Sequence, residues 1–191
     1  MMYTYEELKV FVENCRRCPL FATRGKAVMG QGNLSSRILF IAEAPGTNED
    51  RDGVPFTGPS GRVFDELLEG IGLTRQEIYL TNVVKCHPNG NRDPLPEEQE
   101  ACIDYLKYET FLIKPKIIVC LGRIAAQRII EPGYRITRAH GTFLYRKGTW
   151  LTAVYHPSAI LRDPSKMAEA RADFEKIKEK YQEEARCGAS S

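Results

Sequence analysis

Four short apolar runs along the chain predict the strands of one sheet. They span 37–42 (RILFIA), 78–84 (IYLTNVV), 116–121 (KIIVCL) and 150–155 (WLTAVY). Their hydrophobicity is nearly continuous rather than alternating, which is typical of parallel strands covered on both faces. The pattern therefore predicts a buried, mainly parallel, four-stranded sheet.

Amphipathic helical patterns lie between and around these runs. Thr4 and Glu7 form a capping-box pattern before the first helix. Further helices are predicted from Ser60 as N-cap, over 96–112, over 123–130 and from Ser165. Alternating strands and helices predict an α/β fold, here a three-layer α/β/α sandwich. We expect one domain over 1–184 and a disordered tail over 185–191.

Polar residues follow the predicted strands. The first run leads into Glu43, the second contains Asn82 near its end, the third leads into Arg123, and the fourth leads into His156. Ligands of open parallel sheets bind beyond the carboxyl ends of the strands. An acid, an amide and an imidazole are therefore expected to meet at one edge of the sheet.

Composition and motifs narrow the class of protein. The 191 residues, 42% hydrophobic and 27% charged, suit an ordinary globular domain. No apolar run approaches the roughly 20 residues that span a bilayer, and the N-terminus has no signal-peptide pattern. The phosphate-loop, dinucleotide, zinc-protease and serine-hydrolase motifs are missing from the sequence. We expect a cytoplasmic protein.

One segment, 132–162, contains no Asp or Glu. It carries several basic residues, namely Arg135, Arg138, Arg146, Lys147 and Arg162, together with His140 and His156. Such a segment can form a positive surface that meets phosphates, or it can be a solvated loop with a chance bias of charge. His140 is expected to be an ordinary surface histidine.

The six cysteines suggest a metal site, because disulfides are rare in cytoplasmic proteins. Cys15 and Cys18 form a C-x-x-C turn, and Cys86 and Cys102 can complete a set of four ligands. Spacing alone does not separate zinc from an iron–sulfur cluster, and four unligated thiols remain an alternative. Cys120 lies in an apolar run and is expected to be inert, and Cys187 falls in the predicted tail.

The motifs EAPG at 43–46, PFTGPSG at 55–61, TNVVKC at 81–86 and HPSAILR at 156–162 resemble those of the thermostable, family 4 uracil-DNA glycosylases. The four cysteines, with fifteen residues between Cys86 and Cys102, match as well. The resemblance implies a monofunctional hydrolase that flips deoxyuridine out of DNA, cleaves its N-glycosidic bond and leaves an abasic site, which starts base excision repair. It also implies a [4Fe–4S] cluster on Cys15, Cys18, Cys86 and Cys102.

The resemblance assigns roles to individual residues. It implies that uracil contacts Ala42, Glu43, Ala44, Glu49, Phe56, Asn82 and His156, of which Glu43, Asn82 and His156 are catalytic. Phe56 would stack on the base, Asn82 would read its edge, and Glu49 would exclude the methyl of thymine. His156 would donate to O2 of the departing base. Ala44 stands where better-known glycosylases have a water-orienting aspartate, which leaves Glu43 as the nearest acid.

The resemblance also implies a DNA-binding surface. Its candidates are Arg62, Lys85, Ser158, Ile160, Leu161 and Arg162. Arg62 and Lys85 would contact phosphates, and the segment 156–162 would enter the minor groove and fill the vacated stack. The expected partner is uracil-containing DNA, bound by a monomer, and a sliding clamp is a further candidate partner. A non-catalytic DNA-binding module, such as one that serves a polymerase, and a zinc-stapled nucleotide-binding protein are the alternatives.

Overall fold

The structure, a computed structural model, describes residues 3–188, with side chains through Arg186. In this range the helices are α1 (Tyr5–Glu13), α2 (Thr47–Asp52), α3 (Pro59–Gly70), α4 (Pro96–Ile113), α5 (Arg123–Ile129), α6 (Ile136–Ala139), α7 (Pro157–Arg162) and α8 (Met167–Gly188). The strands are β1 (Gln31–Gly32), β2 (Ile38–Ala42), β3 (Tyr79–Asn82), β4 (Ile117–Leu121), β5 (Leu144–Arg146) and β6 (Thr149–Val154). None of the helices in this range is long and apolar enough to cross a membrane.

The strands form one mixed sheet in the order β1-β3-β2-β4-β6-β5. The four central strands are parallel, and they are the four that the apolar runs predict. The prediction of a four-stranded sheet is wrong, because β1 and β5 add antiparallel edges. Both edge strands are short and exposed. Since they bury no apolar face, they leave no hydrophobic run in the sequence.

Both faces of the sheet are covered, as a three-layer sandwich requires. Leu39 and Ile41 of β2 point toward α4 and α5. Phe40 points to the other side, where its ring contacts those of Phe64 in α3 and Phe174 in α8 at 5.1 and 6.1 Å between centroids. Burial on both faces explains why these strands are apolar at every position.

The predicted helix starts are partly confirmed. Thr4 and Glu7 form the expected capping box at α1. Ser60 is not an N-cap, because Gly58 holds that position and Pro59, whose fixed φ suits the first turn, begins α3. Near Ser165 a 3₁₀ turn capped by Asp163 precedes α8. Helix α8 continues through Gly188, into the predicted tail, and the rest of that tail lies outside the described residues.

Candidate active site and cysteine cluster

A cleft of about 520 Å³ opens at the carboxyl ends of the parallel strands. Glu43 and Ala44 follow β2, Asn82 ends β3, and His156 follows β6. All four line the cleft. The structure thus brings together the acid, the amide and the imidazole that the strand ends predict, and it places Phe56 on the same wall.

Asn82 presents an unsatisfied acceptor. The side chain is 2% exposed, and its Oδ1 is buried without a hydrogen-bond partner in the described part of the chain. Its backbone carbonyl accepts from Nζ of Lys85 at 2.8 Å, so the main chain of Asn82 is held. A buried acceptor left unpaired costs about 1–3 kcal/mol, and a ligand that donates to Oδ1 would remove that cost.

His156 is held as a neutral ring. It caps α7, and its Nδ1 accepts from the backbone N–H of Ser158 at 3.1 Å. Burial, with the charge of Arg162, lowers the pKa of His156 to about 4. Because Nδ1 accepts, the proton of the neutral ring is on Nε2. His156 therefore offers one N–H donor to the cleft near neutral pH.

Phe56 has an unusual backbone. Its φ is 57°, in the left-handed region that residues other than glycine rarely adopt. The ring is 6% exposed and lies 5.6 Å from that of His156 between centroids. Gly61 allows this turn, because a Cβ there would lie 1.8 Å from the carbonyl oxygen of Phe56. Glu49 lines the cleft nearby, and its Oε1 accepts from the backbone N–H of Gly58 at 3.1 Å.

Glu43 lies against a second acid that the sequence did not single out. Burial raises the pKa of Glu43 to about 7, and the charge of Asp93 and a hydrogen bond to it add to the rise, while Arg123 and Arg162 oppose it. Asp93 in turn pairs with Arg123, at 2.5 Å between Oδ2 and Nη2. Asp93 lies in a loop far along the chain from Glu43, and no local pattern marks it as part of a site.

Three predicted site residues lie elsewhere. Lys85 is 1% exposed, and its ammonium pairs with Glu109 and donates to Oγ1 of Thr81 at 2.6 Å. The ammonium faces inward, where the carboxylate of Glu109 compensates its buried charge. The prediction that Lys85 contacts phosphate is therefore wrong. Ile160 is 2% exposed in the core, so it cannot enter a base stack. The side chain of Ala42 is also buried in the core and does not line the cleft, and a contact between its backbone and uracil stays a prediction.

The remaining candidates for DNA contact are accessible. Arg62, Leu161 and Arg162 are exposed, and Ser158 and Arg162 line the cleft. In the acid-free segment Arg135, Arg138 and Lys147 are exposed. Arg146 is exposed as well, and its Nη2 also donates to the carbonyl of Ile130 at 3.0 Å, just after α5. This part of the segment therefore also has a structural role.

His140 is not the ordinary surface histidine that we predicted. Its side chain is 20% exposed, and its Nδ1 lies 2.6 Å from Oδ2 of the buried Asp173. Its ring packs on Tyr155, at 4.7 Å between centroids. His140 thus joins α6 to α8 behind the cleft wall that Tyr155 forms.

The four predicted ligand cysteines lie near one another. Cys86 and Cys102 are buried, and Cys15 and Cys18 are partly buried. Burial raises the pKa of Cys102 to about 12, and the charges of Cys86 and Cys15 raise it further. Burial likewise raises the pKa of Cys86, with smaller contributions from Cys18 and Cys15. These charge effects place the four sulfurs in one region of the structure.

The surroundings of the cluster suit thiolate ligands. Nη1 of Arg24 donates to Sγ of Cys86 at 3.0 Å, and the backbone N–H of Lys85 donates to Sγ of Cys102 at 3.3 Å. Among the described residues, no three Cys, His, Asp or Glu side chains form a group ready to hold a single metal ion. A four-iron cluster takes one thiolate per iron, so that its ligands are farther apart than those of one ion.

The other two cysteines differ from these four. Cys120 is fully buried in β4, as expected for an inert core residue, and burial raises its pKa. The side chain of Cys187 lies outside the described residues.

A family model described as the Uracil DNA glycosylase superfamily matches residues 29–182. A type-4 uracil-DNA glycosylase of Archaeoglobus fulgidus is 42% identical over 187 residues, which cover 93% of this chain and 94% of that protein. One from Thermotoga maritima is 41% identical over 170 residues, 86% of this chain and 88% of that protein. The chain belongs to the type-4 uracil-DNA glycosylases, which confirms the resemblance carried by its motifs.

A different kind of protein matches more weakly. A DNA polymerase of Bacillus phage SP01 is 29% identical over 140 residues, which cover 73% of this chain but 15% of the polymerase.

Proposed function

We propose that this chain hydrolyses the N-glycosidic bond of deoxyuridine in DNA, releasing uracil and leaving an abasic site. Its membership of the type-4 uracil-DNA glycosylases supports this DNA-repair activity. The structural observation that carries the proposal is the buried, unpartnered Oδ1 of Asn82 at the end of β3. We take 1–184 to be one glycosylase domain that acts in the cytoplasm as a monomer.

The amide of Asn82 matches the edge of uracil. Uracil presents an N3–H donor and an O4 acceptor, and one side-chain amide can pair with both. The N3–H would donate to Oδ1, which has no other donor in the described chain. Cytosine reverses both groups, so it would leave Oδ1 unpaired and place two donors face to face. A buried mismatch of this kind rejects the wrong base strongly.

Phe56 and Glu49 complete the base pocket in this proposal. The ring of Phe56 would stack on the flat face of uracil, since it lies on the cleft wall next to His156. Glu49 would lie beside C5 and leave no room for the methyl of thymine. Its carboxylate is held by the N–H of Gly58, which keeps it from swinging away.

His156 would stabilise the leaving group. When the bond between C1′ of the sugar and N1 of uracil breaks, its electron pair leaves with the base, and negative charge grows on O2. The neutral ring of His156 has its Nε2–H free for that oxygen, because Nδ1 is occupied by the N–H of Ser158. A fixed donor aimed at a developing anion is worth about 2.7–4 kcal/mol in comparable sites.

Glu43 would receive the proton of the attacking water. Water adds its oxygen to C1′ and gives one proton to Glu43, and the uracil anion takes up one proton from solvent, to which Glu43 then returns its own. A carboxyl with a pKa of about 7 is well matched to this transfer near neutral pH. Ala44 contributes only a methyl group at this wall of the cleft. Glu43, with Asp93 beside it, therefore takes the place of the water-orienting aspartate.

The base reaches this pocket only after it leaves the duplex, at a cost of a few kcal/mol. Leu161 is 46% exposed at the end of α7, next to the cleft, and would fill the vacated stack. Arg62, Ser158 and Arg162 are the remaining candidates for contacts to the DNA backbone. A sliding clamp is a further candidate partner.

We also propose that Cys15, Cys18, Cys86 and Cys102 hold a [4Fe–4S] cluster. The four thiols lie within electrostatic reach of one another, and Arg24 beside Cys86 would offset the negative charge of the ligand set. When bound, the cluster would supply a structural tie between the loops 18–32 and 87–95. The second loop carries Asp93, so the tie would also steady one wall of the cleft.

The activity can be tested with oligonucleotides that carry uracil, cytosine or thymine opposite guanine, followed by alkaline cleavage of abasic sites. We expect scission at uracil alone, free uracil as the product, and several turnovers without a covalent complex. Binding to all three duplexes without release of any base would instead support a non-catalytic DNA-binding module. The weak match to a phage polymerase makes that the competing outcome to exclude.

A further inference from the structure

The loop that carries Phe56 needs an external support. A residue with a φ of 57° is in a sparsely populated region, and it stays there only when its surroundings fix it. Removing the support would let the backbone relax to a negative φ. The ring of Phe56 would then leave its place on the cleft wall.

Arg75 supplies that support. Its Nη2 donates to the carbonyl of Phe56 at 2.8 Å, and its Nη1 donates to the carbonyl of Pro55 at 3.1 Å. The same Nη2 reaches the carbonyl of Gly61 at 3.4 Å. One guanidinium thus ties three carbonyls on both sides of the turn.

The guanidinium is itself held in place. Asp65 on α3 accepts from Nε of Arg75 at 2.6 Å and from Nη2 at 3.1 Å. This paired contact fixes the plane of the guanidinium, so that its remaining N–H groups face the carbonyls of the loop. Lysine cannot reproduce the arrangement, because an ammonium is a compact point charge and has no planar set of N–H donors.

Arg75 does not line the catalytic cleft. It lies behind the loop, where it and Pro55 line a separate cavity of about 400 Å³. Any influence of Arg75 on the reaction must therefore pass through the loop. Arg75 is a positioning residue rather than a catalytic one.

We propose that Arg75 holds Phe56 in the conformation in which its ring can stack on the flipped-out uracil. This inference rests on the proposed function, which places the base against Phe56. Arg75→Ala should slow single-turnover release of uracil by roughly tenfold to a hundredfold, as misplacement of a group by about 1 Å can do. Arg75→Lys should recover little of the rate, and guanidinium ion at millimolar concentration should restore part of it in Arg75→Ala.

A double-mutant cycle distinguishes positioning from general destabilisation. In a Phe56→Ala background there is no ring to position, so Arg75→Ala should have little further effect. Asp65→Asn, which loosens the guanidinium without removing it, should lie between wild type and Arg75→Ala. The matched control is Arg171→Ala. Arg171 lies on the surface and pairs at 2.7 Å with Glu66, which is next to Asp65 on α3. This variant should keep the wild-type rate.

The outcomes are separable. If Arg75→Ala slows the Phe56→Ala enzyme by the same factor as the wild type, or leaves the wild-type rate unchanged, the inference is wrong. If Arg75→Ala does not fold, as judged by circular dichroism, the same cycle with Asp65→Asn decides the question. A wild-type protein that releases no uracil would instead overturn the proposed function, and leave the hydrogen bonds of Arg75 as a structural feature only.

Discussion

The carboxyl groups of Glu43 and Asp93 lie within hydrogen-bonding reach of each other in the wall of the cleft. Two carboxyls this close can form a hydrogen bond only when one of them carries a proton. Asp93 is also paired with Arg123, so the proton is expected on Glu43. A proton on Glu43 agrees with its raised pKa.

This pair predicts how activity depends on pH. If ionised Glu43 takes the proton from water, the single-turnover rate should rise with pH through about 7. Asp93→Asn removes a negative charge and should move this rise to lower pH. Arg123→Gln removes a positive charge and should move it to higher pH. Rates measured between pH 5 and 9 with saturating enzyme would test both shifts.

The prediction requires that the two variants shift the pH–rate profile in opposite directions. A variant that only loosens the cleft would instead lower the rate at every pH. The charged and titratable groups around Glu43 in the cleft are Glu49, Arg92, Asp93, Arg123, Tyr155, His156 and Arg162. His156, with a pKa of about 4, titrates below this window. If both variants kept the wild-type pH–rate profile, Glu43 would not be the group that accepts the proton.

Asn82→Asp separates base reading from catalysis. An ionised aspartate keeps the shape but replaces the amide donor to O4 with a negative charge beside the departing base. Uracil release should fall by roughly 10²- to 10³-fold, as for the loss of one transition-state donor. His156→Ala should slow cleavage comparably and keep discrimination, since O2 is common to uracil and cytosine. A wild-type rate for Asn82→Asp would place the base elsewhere.

Freshly purified protein should be brown and contain iron and acid-labile sulfide. Cys86→Ser and Cys102→Ser should lose both together, because a hydroxyl is a poor ligand for iron in such clusters. Cys120→Ala is the matched control, since Cys120 is a buried cysteine of β4 that is not one of the four, and it should keep the colour. Colourless protein with stoichiometric zinc after anaerobic purification would contradict the iron cluster.

Leu161→Ala should affect duplex and single-stranded DNA differently. A side chain that fills a vacated stack helps only where a stack exists, so uracil release from duplex should fall by roughly tenfold while release from a single strand changes little. The measurement is single-turnover cleavage of the same sequence in both forms. Equal losses on the two substrates would mean that Leu161 supports α7 rather than DNA.

Sequence alone determined the centre of the fold and the main groups of the site. Continuous apolar runs predict the four parallel strands, because strands buried on both faces have apolar residues at every position. The strand ends then place Glu43, Asn82 and His156 at one edge, where the structure has them. These features follow from short stretches of sequence, and the motifs of the family are local as well.

Tertiary structure decided where individual side chains point and what they meet. Lys85 follows a motif strand and reads as a phosphate contact, yet Glu109 draws its ammonium into the core. Ile160 and Leu161 are neighbours of similar hydrophobicity, and only the packing of α7 buries one and exposes the other. The environment of a charge or an apolar group depends on residues far along the chain.

The same reason explains what sequence reasoning missed. Asp93 meets Glu43 across fifty positions of the chain, and Arg75 supports Phe56 across the whole of α3. The edge strands β1 and β5 exist only because a neighbouring strand offers its free hydrogen-bonding groups. Each of these contacts joins polar groups that have no periodic or local signature. Their pairing is determined when the folded chain brings them within hydrogen-bonding distance.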